Sequence, residues 1–352
     1  MRVFSFYHFN SCVLICAAAL LAASPSPAQD KQDVEVVKLR VNSTVALSTI
    51  SDDFIGFGYE TSAVAQSNFF TARNSAMIQL YRNLSPHGLI RIGGNVSDHT
   101  RFVPDGISAA RTEREVTIIN QTNLLDLAAF ARKTDWKVMW GLNLGSGSIP
   151  EAVEEARAVH AALGSHLHSF EIGNEVDALR RFANDYNAYY TAFLDYKAAI
   201  RAALPHPAFS GPDVIGNWAW LTNFARSEAG DMKLLTQHYY RGGAGNPGST
   251  LDKLLQPDQS WDARLEKLRQ LCGNHHLYFR INEVNSFSGG GKLGVSDTFG
   301  SALWALDFMF RLASHGCNGI NLETDVNQLG FISHYSPIGR DAAGNCVARP
   351  EY

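Results

Sequence analysis

The chain lacks most features that would set it apart from a globular protein. Five cysteines in 352 residues are too few for a disulfide scaffold. Positive charge is not in excess. Lys+Arg number 30 against 34 Asp+Glu, so the net charge of -4 excludes a polyanion binder steered by bulk charge. There is no collagen-like, coiled-coil or solenoid period. The glycine-rich dinucleotide fingerprint is missing too, since Gly56-Phe57-Gly58 has no third glycine. What is present is apolar: 45% hydrophobic and 11% aromatic residues exclude a disordered chain. The length, at roughly 150 residues per domain, allows two domains or one large one.

Residues 1–28 read as a secretory signal peptide. Arg2 supplies the positive start, and residues 13–23 form an apolar run too short for a membrane span. Residues 24–27 break the helix, and Ser26 and Ala28 are small residues at the -3 and -1 positions of a cleavage site. An uncleaved anchor is the alternative. A lipoprotein is disfavoured because Ile15 precedes Cys16. Cleavage removes Arg2 and no acid, taking the net charge from -4 to -5. The expectation is a secreted protein, periplasmic or extracellular, with no membrane span after cleavage. Cys272, Cys317 and Cys346 remain, enough for one disulfide of undetermined pairing. Asn42, Asn95 and Asn120 begin glycosylation triplets, which matter only in a eukaryote.

Residues 34–47 alternate like a half-buried strand in need of a partner sheet. Then eight short apolar runs recur, at 54–60, 88–95, 137–144, 168–175, 208–213, 233–240, 276–284 and 319–324. Stretches of helical period separate them, including 72–84, 120–133, 151–163, 185–203, 260–271 and 297–315. In the last, Leu303, Leu306, Met309, Phe310 and Ala313 fall three and four apart and imply one buried face. Continuous apolar runs alternating with helices imply parallel strands covered on both faces. Eight such units predict an α/β fold, the (β/α)8 TIM barrel.

Each run ends in polar residues: Glu60, Asn95, Asn143, Asn174 with Glu175, Asp213, His238 to Tyr240, Asn282 with Glu283, and Glu323. In a barrel these ends converge on the face where chemistry occurs. Glu175 and Glu283 end the fourth and seventh runs, on opposite sides of the mouth. Two carboxylates about 5–5.5 Å apart suit a retaining glycosidase, one attacking the anomeric carbon and the other acting as acid and then base. Their pKa values must differ, the acid's being raised by its neighbour's charge or by desolvation.

The motifs carry a resemblance. Gly173-Asn174-Glu175, with a strand-seven glutamate, resembles the clan of retaining (β/α)8 glycoside hydrolases. Several segments occur in an order that resembles glycoside hydrolase family 79, the β-glucuronidase and heparanase group. They are Arg91-Ile92-Gly93-Gly94-Asn95 with Asp98, Gln237-His238-Tyr239-Tyr240, Glu283 followed by Gly289-Gly290-Gly291, Val295-Ser296-Asp297-Thr298-Phe299, and His334-Tyr335-Ser336-Pro337-Ile338. The resemblance spans about residues 54 to 350 and implies roles. Glu175 is the acid/base, Glu283 the nucleophile, and Asn174 donates to the 2-hydroxyl. Tyr240 or Tyr239 holds the nucleophile. Glu60, Asn95 and Asp98 bind sugar hydroxyls. Gly289, Gly290 and Tyr335 take a uronate carboxylate. The family often has a tyrosine before its three glycines; here Ser288 stands there, with a shorter reach. The implied partner is a glucuronic-acid-containing glycoside or polysaccharide. No nucleic acid, cofactor or metal is implied.

Other candidates weigh less. His166, His168, His275 and His276 have no acid at ligand spacing. Lys292 reads as a solvated loop lysine rather than a substrate contact. Trp218, Trp220 and Tyr239 are core aromatics or platforms for a sugar ring. Cys317 reads as packing. A catalytically inactive carbohydrate-binding barrel and a neutral-sugar β-glycosidase are the alternatives. A Schiff-base aldolase needs a strand-end lysine that the eight runs lack. The domain reading is a signal at 1–28, a strand of an incomplete β-sandwich at 29–50, and a barrel at 51–352. Family 79 proteins continue past a segment like residues 348–352 into a last barrel helix and the β-sandwich. The resemblance therefore implies a chain truncated at its C-terminus, of low solubility or marginal stability alone.

Overall fold

The computed structural model describes residues 48–105, 117–324 and 331–352, together with Lys38, Arg40, Thr44 and Ala46. The chain divides into two units, 1–45 and 46–352. The expected signal peptide and most of the expected strand at 34–47 lie outside the described residues.

All eight apolar runs form strands: β1 Gly56–Glu60, β2 Leu89–Gly93, β3 Lys137–Leu142, β4 Leu167–Ile172, β5 Phe209–Val214, β6 Met232–Tyr240, β7 Phe279–Asn285 and β8 Gly319–Glu323. Each pairs in parallel with the next, and β8 closes on β1, so the fold is a (β/α)8 barrel. Closure explains the continuous apolar runs, because every strand is covered on both faces.

Among the described residues seven long helices lie in the crossovers: α1 Ser75–Leu84, α2 Gln121–Thr134, α3 Ile149–Leu163, α4 Tyr186–Ala203, α5 Trp218–Glu228, α6 Gln259–His275 and α7 Phe299–Ser314. Polar caps start them. Asn74, Asp185, Asn217 and Asp258 each accept from backbone N–H groups of their first turn. Asn120 and Asn123 form a reciprocal capping box. Two short parallel strands, Thr100–Phe102 and Thr117–Ile119, interrupt the β2–α2 connection, and no periodicity announced them.

Among the described residues no helix follows β8. Instead Ile338–Arg340 and Cys346–Ala348 form a hairpin, and the Tyr352 hydroxyl donates to the Leu80 carbonyl of α1 at 2.8 Å.

The expected face of α7 needs correction. Leu303, Leu306 and Phe310 are 46%, 51% and 64% exposed, and Met309 is half-buried. The buried face is Trp304, Ala305, Phe308, Leu312 and Ala313. The helix is apolar nearly all round, so periodicity allowed two faces. Aromatic packing of Phe308 on Tyr239 and Trp304 selects one of them.

Candidate active site

Polar strand ends meet at the C-terminal mouth around a cavity of about 590 Å3, within the range of small-molecule sites. Of the residues named from the sequence, Glu60, Asn95, Glu175, Tyr239, Tyr240, Glu283, Ser288, Gly289, Gly290 and Tyr335 line it. His238, Trp261, Ile215 and Glu323 also line it and had been assigned no role.

Glu283 lies within β7, with a side chain 11% exposed. Glu175 lies three residues past the end of β4, at φ 45°, with a side chain 22% exposed. That left-handed backbone is unusual for a non-glycine residue. It sets Glu175 at the lip and Glu283 deeper. One oxygen of each carboxylate and a ring nitrogen of His238 all fall within 4.8 Å of one another.

His238 explains this closeness. It pairs in register with Glu283 on the neighbouring strand, after an irregularity at Gln237/His238 that turns the strand. Nδ1 is 3.1 Å from Glu175 Oε1 and 3.6 Å from Glu283 Oε2. Nε2 is 3.1 Å from Asp213 Oδ1, close enough for an ion pair though without hydrogen-bond geometry. Burial alone would lower the His238 pKa. The Glu283 and Asp213 charges outweigh it and raise the group well above its ordinary value. A charged imidazolium therefore stands between the two glutamates. The three residues also have the spacing of metal ligands.

Beneath this layer Arg91 crosses the barrel floor. It donates to Glu283 Oε2 at 2.7 Å, Asp213 Oδ2 at 2.6 Å, Glu171 Oε2 at 3.2 Å and Asn174 Oδ1 at 2.6 Å. The Tyr240 hydroxyl donates to Glu283 Oε1 at 2.8 Å. Burial would raise the Glu283 pKa, but His238, Arg91 and the Tyr240 hydrogen bond hold it below the usual range. Glu171, burdened by burial and by Asp213, is pushed up to about 8 despite Arg91.

Several expectations resolve here. Tyr240, not Tyr239, holds Glu283; the Tyr239 hydroxyl donates to Asp258 at 2.9 Å. Asn174 is buried behind the cavity wall and donates to Asn95 at 3.2 Å.

Asp98 is a correction. It accepts from the backbone N–H groups of Leu144, Gly145 and Asn174 at 3.0, 2.8 and 3.2 Å. It ties the loops after β3 and β4 together and does not line the cavity. Asn143 likewise serves its own loop, accepting from Ser146 and Gly147, and Asp213 belongs to the layer beneath. Not every strand-end polar group therefore faces substrate.

Trp218 and Trp220 offer no stacking face to the cavity. Trp220 packs on Tyr189, and Arg264 sits 4.5 Å over Trp218. Lys292 donates to the Asn246 carbonyl, a loop tie. The thiols of Cys272, Cys317 and Cys346 are buried. His168 bonds Ser169 at the opposite end of β4 from Glu175.

The loop after β7 is conformationally specific. Gly289, Gly290 and Gly291 have φ of 80°, 86° and 77°, a run that only glycine adopts without strain. A Cβ at Gly291 would lie 2.7 Å from the Tyr335 nitrogen, so the loop and Tyr335 form one wall. Ser288 stands at its start, with Oγ 3.4 Å from the Gly242 carbonyl.

The fold and the carboxylate-lined mouth define a (β/α)8 glycoside hydrolase. No protein-family model matches the chain. A β-glucuronidase of Aspergillus niger is 24% identical over 97% of this chain and 70% of its own length. A β-glucuronidase of Neurospora crassa is 23% identical over 91% of this chain and 65% of its own. The structure of a 4-O-α-L-rhamnosyl-β-D-glucuronidase from Fusarium oxysporum superimposes with a TM-score of 0.64. It is 18% identical and covers 78% of this chain and 64% of that one. The chain thus spans about two thirds of the lengths of the proteins it matches. The chain is thus similar to β-glucuronidases over nearly its whole length, in keeping with the motifs that resemble glycoside hydrolase family 79. Among the described residues no helix is long and apolar enough to cross a membrane.

Proposed function

We propose that the chain is a secreted retaining exo-β-glucuronidase that works by double displacement. The observation that carries the mechanism is the approach of the Glu175 and Glu283 oxygens to within 4.8 Å. Inverting enzymes need about 6.5–9.5 Å to admit a water, and retaining ones about 5–5.5 Å.

Glu283, held ionised by His238 and Arg91, attacks the anomeric carbon. A covalent glycosyl-enzyme forms as the leaving oxygen takes a proton from Glu175 at the more open lip. Glu175 then removes a proton from water, and that water displaces Glu283 with net retention. The His238 Nδ1–H between the two carboxylates stabilises whichever one carries charge. The glycine loop and Tyr335 support a uronate substrate, because backbone N–H groups in such a loop can approach an anion closely. Two β-glucuronidase relatives support the same sugar. Secretion is supported by the pattern of residues 1–28.

The test is hydrolysis of 4-nitrophenyl β-D-glucuronide, glucoside and galactoside, with product stereochemistry followed by NMR. The expected result is release from the glucuronide with the β-anomer formed first. An α-anomer as first product, or full activity in Glu283→Ala, would overturn the mechanism. A neutral glycoside as preferred substrate would overturn the sugar assignment.

A further inference from the structure

Beside the catalytic pair the cavity holds two further strand-end carboxyls, Glu60 and Glu323. Glu323 ends β8, is 2% exposed, and lines the cavity with Glu60, Glu283 and Tyr335. Neither of its carboxyl oxygens has a hydrogen-bond partner among the described residues. Its barrel neighbour makes room for it. Gly58 pairs with Glu323 in register, and a Cβ there would lie 2.6 Å from Glu323 Oε2. Glu60, by contrast, accepts from the Val96 N–H at 2.7 Å. A buried polar group left unpaired destabilises the fold, and it persists most readily where a ligand supplies the missing partner.

We propose that Glu323 is a substrate-binding residue that takes the 3- or 4-hydroxyl of the terminal sugar. This rests on the glucuronidase reading of the cavity. There Glu283 meets carbon 1, and the Gly289–Tyr335 wall takes the uronate. Carbons 3 and 4 lie across the ring from carbon 1, and the wall left for them is Glu60, Asn95 and Glu323.

Protonation fits the role. Burial and the Glu283 and Glu60 charges push the Glu323 carboxyl well above the usual carboxylate range. A neutral carboxyl offers one hydroxyl both a donor and an acceptor, and adds no negative charge beside the uronate. A site built this way rejects a sugar lacking that hydroxyl, because the carboxyl is then left unpaired.

The experiment compares the full chain, Glu323→Ala and Glu323→Gln on 4-nitrophenyl β-D-glucuronide and its 3-deoxy and 4-deoxy forms, with a thermal melt of each protein. Glu323→Ala is expected to lose about 100-fold or more in kcat/KM on the parent glycoside. On one of the deoxy substrates wild type and Glu323→Ala should converge to within about threefold. Glu323→Gln, which can donate and accept in the same place, should stay within about tenfold of wild type. If Glu323→Ala does not fold, the smaller loss in Glu323→Gln must vanish on that same deoxy substrate. An equal loss on all three substrates would overturn the proposal, since a purely structural role moves them together. If the chain cleaves a neutral pyranoside and no glucuronide, the glucuronidase reading fails. The same comparison on deoxy forms of that sugar then decides Glu323.

Discussion

Arg91 on β2 donates to Glu283 on β7 across the width of the barrel, at 2.7 Å, with both side chains withdrawn from solvent. The same guanidinium holds Asn174, just ahead of Glu175. One cation thus sets the height of the Glu283 carboxylate and braces the loop that carries Glu175. Such a buried charge is tolerated because Glu171, Asp213 and Glu283 surround it.

The two glutamates should separate by leaving group. Glu175→Ala removes the proton donor, so hydrolysis of an alkyl glucuronide should fall by about 10^3-fold or more. A 4-nitrophenyl glucuronide needs little protonation to leave and should lose far less in the glycosylation step. Glu283→Ala should abolish both to a similar degree, at least about 10^4-fold. Steady-state and burst kinetics on the two substrates check this, and equal losses for Glu175→Ala would contradict the assignment.

Tyr240→Phe should lower kcat about 10- to 100-fold, because it removes a hydrogen bond that keeps Glu283 ionised and aimed. Tyr239→Phe should change kcat less than about threefold, since that hydroxyl faces Asp258 instead. Paired kinetics on the two variants measure the contrast. A larger kcat loss in Tyr239→Phe would reverse the assignment.

Asp98 should behave as a loop clamp. Asp98→Ala leaves three N–H groups, two of them buried, without their acceptor and should cost about 3 kcal/mol of stability. Asn95→Ala should instead raise KM while leaving the melting temperature within a few degrees. The two melts and the two KM values suffice as a check. Unchanged stability in Asp98→Ala would return Asp98 to the list of substrate contacts.

Glu155 offers a pH test away from the site. It is buried against the indole N–H of Trp140, and burial pushes its carboxyl up to about 8. In the unfolded chain it titrates near 4.5. Its folded pKa is the higher, so its contribution is complete below pH 4.5 and is lost as pH rises toward 8. Glu155→Gln should therefore lose less stability than wild type between pH 5 and pH 8. Denaturant melts at the two pH values measure it. Identical losses in both proteins would show that Glu155 does not carry the effect.

The sequence by itself determined the barrel and the pair at its mouth. The eight apolar runs read as parallel strands covered on both faces, and their number favoured a closed barrel over an open doubly wound sheet. Glu175 and Glu283 stood out because each ends an otherwise apolar run. Which other strand-end groups reach substrate was decided only in three dimensions. Asp98 and Asp213 are acids like Glu60, but backbone N–H groups claim the first and Arg91 and His238 the second. Tyr239 and Tyr240 are adjacent and chemically equal, yet a strand points neighbours to opposite faces, so one meets Glu283 and the other Asp258. The α7 stripe failed for a related reason, since periodicity marks an apolar face only where the opposite face is polar. Long-range contacts settle these choices. Sequence spacing carries none of that information, because Arg91, His238 and Glu283 are brought together from strands far apart in the chain.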